Sequence, residues 1–393
     1  MLKSIAFMLL MGMFLGWICK KIKFPSLFGM IITGIILGPY ALNLIDSSIL
    51  NISSELRRIA LIIILIRAGL SLNINDLKKV GRPAVLMCFL PACFEMIGMI
   101  ILAPMLLGVS RLDAAIMGAV VGAVSPAVIV PKMIKLIEEG YGTKQGIPQL
   151  ILAGASVDDV FVIVMFSTFT GFAQGTGASV KSFINIPVSI VIGIAIGFIA
   201  GFVLAKFFQK FHMRDTVKVI ILLSIAFLMV SFEDAYAEII PFASLIAVMC
   251  LGISLQRNRE KAAVRLSSKF NKLWVAAEIL LFVLVGATVD VNNAFTAGFA
   301  AVILIFGVLV CRMAGVFVCL LRTKLNMQER CFCMLAYLPK ATVQAAIGGL
   351  PLAMGLSCGN IVLTVSVLAI LITAPLGAFA IDLTYKRLLK LQM

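Results

Sequence analysis

Residues 154–166 read GASVDDVFVIVMF, with Asp158 and Asp159 side by side in an otherwise apolar stretch. The stretch belongs to a segment from about 148 to about 172, long enough to cross a bilayer as a helix. On insertion scales a carboxylate at the centre of such a helix costs roughly 2.5–3.5 kcal/mol, so an adjacent pair demands a reason. The bland alternative is a loop mouth between two helices. A full span of apolar flanking residues argues against it.

Composition agrees. Hydrophobic residues make up 62% of the 393 residues and charged ones 13%, against about 45–50% and about 25% in soluble domains. The chain reads as an all-α polytopic membrane protein. Its first segment, 4–18, lacks a small-residue cleavage site and reads as a retained helix rather than a removed signal. Hydropathy marks spans at about 4–19, 27–44, 57–72, 83–107, 112–137, 147–172, 183–207, 216–232, 237–255, 272–289, 296–321, 329–355 and 358–382.

The basic residues test that count. Of the 33 Lys and Arg, 25 fall in alternate connections, beginning with Lys20, Lys21 and Lys23 and then Lys78, Lys79 and Arg82. Five (Lys3, Arg57, Arg58, Arg111 and Lys181) fall on the opposite side, and Arg67, Arg312 and Lys340 lie within spans. This parity predicts about 13 transmembrane helices, with the N-terminus outside and the C-terminus cytoplasmic. The net charge of +15 follows from the same loops meeting anionic lipid. No folded domain gathers it as nucleic-acid binding requires. The nine cysteines are scattered without a CxxC pair and read as packing residues, and His212 is the only histidine. Neither metal catalysis nor a cofactor is expected.

Several charges sit deep. Glu95 falls near the midpoint of the fourth span, Arg312 near the middle of the eleventh, and Lys340 near the centre of the twelfth. Arg67 reads as a snorkelling arginine, and Glu278 as either a lining or a snorkelling carboxylate. The second span is rich in glycine (Gly29, Gly34 and Gly38), which suits close helix approach. In the fifth span Ser125-Pro126 and Pro131 predict a break or kink, and in the twelfth Pro339 and Gly348-Gly349 predict a second. Backbone freed at that depth must be satisfied by protein or by a wet cavity.

Spans 4–5–6 and 11–12–13 repeat one pattern, a buried charge followed by a broken helix. Their offset of seven spans is odd, so the second unit lies upside down. Inverted repeats with two crossed broken helices are a secondary-transporter architecture, and the crossing falls beside Asp158 and Asp159. Pro126, Pro131, Pro339, Lys340 and Thr342 are its expected residues.

On these residues the chain resembles the monovalent cation/proton antiporters, and most closely the NHA-type sodium/proton antiporters. The resemblance rests on GAVSPAVIVPKM at 122–133, GYGTKQGIPQLILAGASVDDV at 140–160 and LPKATVQAAIG at 338–348, and in pattern it covers nearly the whole chain. It implies a homodimer in the plasma (bacterial inner) membrane, serving pH and salt homeostasis. It further implies an ion-translocation core at about 83–172 and 296–382 and a dimerisation scaffold at about 4–72 and 183–289. Asp158 and Asp159 match the family's aspartate pair, which binds cation and protons in turn. Glu95 and Arg312 match positions that pair, and Lys340 matches a basic residue of the second broken helix. Arg312 stands where many bacterial relatives carry lysine, and arginine does not release its proton in proteins.

The expected function is exchange of Na⁺ or Li⁺ for protons by alternating access. A hard cation takes oxygen ligands, here Asp158, Asp159, Ser125, carbonyls at the breaks and water. Burial and a neighbouring carboxylate both disfavour the ionised form, so the pair titrates as coupled sites. Glu95 and Arg312 are expected to pair apart from the aspartates, leaving both aspartates free to alternate. Two alternatives remain: a sodium-coupled symporter of an organic anion, and an intramembrane aspartyl protease. The protease needs facing carboxylates, whereas neighbours on one helix point about 100° apart.

Overall fold

The computed structural model describes residues 1–22, 24–71, 81–174, 180–236, 240, 242–288 and 291–391. Lys23, Lys78 and Lys79 lie outside the described residues, as does the side chain of Lys181. Among the described residues the regular elements are helices, with one isolated bridge between Tyr141 and Leu391. In order, the helices are α1 (Leu2–Lys21), α2 (Ser26–Leu37), α3 (Ser47–Asn51), α4 (Ser53–Ser71), α5 (Arg82–Met87) and α6 (Leu90–Leu107). Next come α7 (Arg111–Val121), α8 (Pro126–Glu139), α9 (Ile147–Ala173), α10 (Val180–Lys210), α11 (Asp215–Tyr236) and α12 (Ser244–Asn258). The last are α13 (Glu260–Ala287), α14 (Val291–Cys319), α15 (Met327–Ala336), α16 (Thr342–Ile347), α17 (Leu350–Ala353) and α18 (Gly359–Leu388). Among the described residues, eight helices are long and apolar enough to cross a membrane by length and composition.

Several boundaries shift by a few residues from the hydropathy reading, and two of the differences have a clear physical reason. The span expected over 27–44 is helical only to Leu37, because the chain turns at Gly38 and the N–H groups of Leu44 and Ile45 fold back to the Leu37 carbonyl. The connection expected before residue 272 is the first half of α13. There Ala262, Ala263, Leu266 and Phe270 are buried at helical spacing. The charged face between them lowers the average that hydropathy reads.

The chain divides into two compact units, 1–57 with 76–173 and 279–393, and 58–75 with 174–278. In the first, α1 packs along α2, α6 along α14 and α7, and α9 against α7 and α8. Helices α15, α16 and α17 all pack on α18. Gly29 lies against the backbone of Leu15 on α1, and Gly34 against that of Val283 on α13. Arg57, expected on the outer side at the start of the third span, is 4% exposed and packs on Gly349.

In the second unit α10 packs along α12 through Gly193, Gly197 and Gly201, a small residue every four. A Cβ at Gly193 would stand 2.6 Å from the Ala243 carbonyl oxygen, and one at Gly197 would overlap that of Ala247. Such stripes let helix backbones approach closely. Asp234 on α11 holds Arg58 through two bonds of 2.7 Å, and Glu233 accepts from the N–H and hydroxyl of Ser244 at the start of α12. Arg67 and Glu278 are electrostatic neighbours in this unit. Gly197→Leu is expected to destabilise the protein by about 1–3 kcal/mol through overpacking, while Gly298→Ala, which meets nothing within 4 Å, is expected to be tolerated. Thermal unfolding in detergent measures both; equal tolerance would contradict the α10–α12 contact.

Candidate cation and proton site

Two interrupted helices meet in the first unit. Helix α7 ends at Val121, residues 122–125 are non-helical, and α8 restarts at Pro126. Proline suits that first helical position, where an N–H has no intrahelical partner anyway. Helix α15 ends at Ala336, residues 337–341 are non-helical, and α16 restarts at Thr342. The breaks touch: the Ser125 N–H donates to the Pro339 carbonyl at 2.8 Å. Pro131, expected at the crossing, lies inside α8. A proline there removes one helical bond without ending the helix, because the turn before it already begins at the break.

Each break exposes carbonyls that must find donors. Gln344 on α16 reaches across with its amide Nε2, which donates to the carbonyls of Val121 (3.1 Å) and Ala123 (2.8 Å). Thr373 on α18 accepts the N–H of Lys340 at 2.9 Å. Arg312 on α14 serves both breaks. Its Nε donates to the Tyr337 carbonyl at 2.8 Å and its Nη1 to the Gly122 carbonyl. These are the partially negative C-terminal ends of α15 and α7, where a cation is favoured.

The same guanidinium holds two carboxylates. Nη1 lies 2.7 Å from Glu95 Oε2 and Nη2 lies 2.9 Å from Asp158 Oδ2. Lys340 Nζ adds a second cation to Glu95 Oε2 at 2.5 Å. Asp158 Oδ2 also accepts the Val124 N–H at 2.8 Å, just ahead of the partially positive start of α8. Glu95, Asp158, Arg312 and Lys340 are all fully buried. Arg312 therefore does not pair with Glu95 apart from the aspartates; it binds Asp158 as well. The fork of a guanidinium, with five N–H donors in one plane, permits this.

Asp159 differs. It is 7% exposed, and its Oδ1 has no hydrogen-bond partner among the described residues. Asp158 Oδ1, Ser125 Oγ, Thr342 Oγ1, Gln344 Oε1 and Glu95 Oε1 also lack one. The bonded network holds two positive groups, Arg312 and Lys340, and two negative ones, Glu95 and Asp158. Asp159 stands outside that balance. At the breaks, the carbonyls of Val121, Gly122, Ala123, Tyr337 and Pro339 already accept hydrogen bonds, so free side-chain oxygens are the readier cation ligands. Gln344, Tyr337 and Thr373 were not singled out in the sequence. The signal for Gln344 was an amide two residues into a restarted helix, where the opposite break needs donors.

Residues 5–386 match the family model described as the sodium/hydrogen exchanger, transmembrane. The chain belongs to the sodium/hydrogen exchanger family. Within it, the chain is 36% identical over 403 residues to sodium/hydrogen exchanger 9B2 of Mus musculus, covering 95% of this chain and 71% of that protein. The Homo sapiens exchanger 9B2 is 34% identical over 384 residues, covering 93% and 70%. These relatives place the chain among the monovalent cation/proton antiporters of NHA type, which are transporters and not enzymes. The fold is similar to that of the sodium proton antiporter MjNhaP1 from Methanocaldococcus jannaschii at pH 8. That match has a TM-score of 0.86 at 20% identity and covers 98% of this chain and 97% of that one.

Removing Arg312 takes the donor from two helix-end carbonyls and the guanidinium from two carboxylates, Glu95 keeping Lys340 and Asp158 keeping only the Val124 N–H. Arg312→Ala is expected to lower stability by at least about 3–5 kcal/mol. Adding Glu95→Gln restores only part of it, because Asp158 stays without a cationic partner. Thermal unfolding measures the effect; full restoration by Glu95→Gln would show that Asp158 does not share the guanidinium.

Proposed function

We propose that this exchanger moves Na⁺ or Li⁺ against protons by alternating access at a site built on Asp158 and Asp159, with Asp159 as the carboxylate that binds the two in turn. The observation that carries this reading is the asymmetry of the pair. Asp158 is held by Arg312 and the Val124 N–H, while Asp159 is buried with its Oδ1 unpartnered among the described residues. A buried carboxylate without a partner is tolerated only when it is neutralised, and a proton or a monovalent cation does this equally well. The two compete for one group, which makes the exchange obligatory.

Charge counting extends the reading. With Glu95, Arg312, Lys340 and Asp158 balanced among themselves, one positive charge on Asp159 makes the site neutral. Each cation then replaces one proton. Arg312 keeps its proton throughout and acts as a fixed cation. Ser125 Oγ and Asp158 Oδ1 are further oxygens open to the cation, with Thr342 Oγ1 and Gln344 Oε1 on the facing break.

The surrounding arrangement is proposed as well. Thirteen membrane spans have the N-terminus outside and the C-terminus cytoplasmic, in two inverted repeats. A core of about 83–172 and 296–382 moves against a scaffold of about 4–72 and 183–289, in a homodimer in the plasma membrane. The parity of the basic residues supports the orientation. The two half-helix crossings joined by Ser125 and Pro339 support a core that moves as a body.

Asp159→Asn is expected to abolish cation-driven proton movement in proteoliposomes while the protein remains folded. Asp158→Asn is expected to cripple it with residual activity. Normal exchange by Asp159→Asn would overturn the assignment.

A further inference from the structure

Tyr337 lies in the second break, is fully buried, and has no part in the exchange described above. Its carbonyl accepts the Arg312 Nε–H, and its ring lies 5.4 Å from the guanidinium carbon. Those two contacts fix the ring and so the direction of the hydroxyl. The hydroxyl reaches α9 at Gly154 and fills the space of the missing side chain. A Cβ there would overlap the phenol oxygen and stand 3.2 Å from ring carbon Cζ. Despite this burial the hydroxyl has no hydrogen-bond partner among the described residues. Buried tyrosine hydroxyls normally have one, and an orphan is costly.

Gly154 and Asp158 are four residues apart on α9 and share a face. Helical side chains lean toward the N-terminus and cover the preceding turn. The Asp158 carboxylate therefore leans toward the notch that holds the Tyr337 hydroxyl. Its Oδ2 is taken by Arg312 and Val124, and its Oδ1 is without a partner among the described residues. A buried donor lacking an acceptor and a buried acceptor lacking a donor thus occupy adjacent turns of one face. The titratable and charged groups around Tyr337 are Asp158 on α9, Arg312 and Cys319 on α14, and Cys88 between α5 and α6.

We propose that Tyr337 is a positioning residue for the exchange, whose hydroxyl donates to Asp158 Oδ1, directly or through one bridging water. It locks from one oxygen the carboxylate that Arg312 grips from the other. This rests on the exchange reading above and deepens it, because it explains how two identical neighbours acquire different roles. With one oxygen gripped and the other oriented, Asp158 is fixed in direction, its Oδ1 keeping a second lone pair for the cation, while Asp159 is left to exchange. Without the hydroxyl, Oδ1 turns away from the cation.

Tyr337→Phe keeps the ring on Arg312 and removes one oxygen. In proteoliposomes the sodium concentration for half-maximal proton movement is expected to rise about five- to tenfold, with the maximal rate little changed. The Tm of the purified protein is expected to fall, and to fall less when Asp158→Asn is already present, a comparison that needs no transport. Gly154→Ala, which pushes the hydroxyl from its notch, is expected to give the same shift alone and no further shift in the Tyr337→Phe chain. An unchanged half-maximal sodium concentration, or a Tm loss for Tyr337→Phe that is the same with Asp158→Asn, overturns the proposal. Equal shifts from Gly154→Ala in both backgrounds overturn it too. An unmodified protein that moves no protons counts against the exchange reading itself, and the Tm comparison then still decides the Tyr337–Asp158 contact.

Discussion

The guanidinium of Arg312 is the interaction on which the rest of the site depends. Two helices break inside the first unit, and each break leaves carbonyls pointing into a region without bulk water. One planar cation with five donors serves both helix ends, and its charge then calls for carboxylates. Glu95 and Asp158 supply them, and Lys340 shares Glu95. A lysine at 312 would be a point charge on a flexible stem and would not span four acceptors in fixed directions. The crossing and the charge network are one construction.

That construction explains how adjacent identical residues come to differ. Asp158 and Asp159 point about 100° apart on their helix. One direction meets Arg312 and the Val124 N–H, and the other meets no partner for Oδ1 among the described residues. Sequence adjacency suggested a matched pair that alternates ligands jointly. The surroundings make an anchored carboxylate and a free one.

Much of this was legible in the sequence, for a physical reason. A carboxylate pair, an arginine and a lysine inside apolar spans are expensive enough to stand out without knowledge of contacts, and proline marks a helix restart. Glu95, Asp158, Arg312 and Lys340 were all visible that way. What hydropathy cannot show is which charges share a partner, so the bond from Arg312 to Asp158 was missed. Gln344 and Tyr337 escaped because a single amide or phenol in a membrane helix is cheap enough to pass as packing. Their meaning depends on the facing break and on Gly154. The amphipathic start of α13 escaped because its charged face hides four buried apolar positions from an average.

The proposed exchange rests on one carboxylate, Asp159, that trades one cation for one proton over a balanced network. The most direct test is proteoliposome exchange with a pH dye, run for Na⁺ and Li⁺ with and without a clamped membrane potential. One-for-one exchange moves no net charge, so the rate and the final pH gradient should not respond to the clamp. Exchange that is accelerated or reversed by the imposed potential would contradict the claim, because it would require Asp158 or Lys340 to move a proton as well.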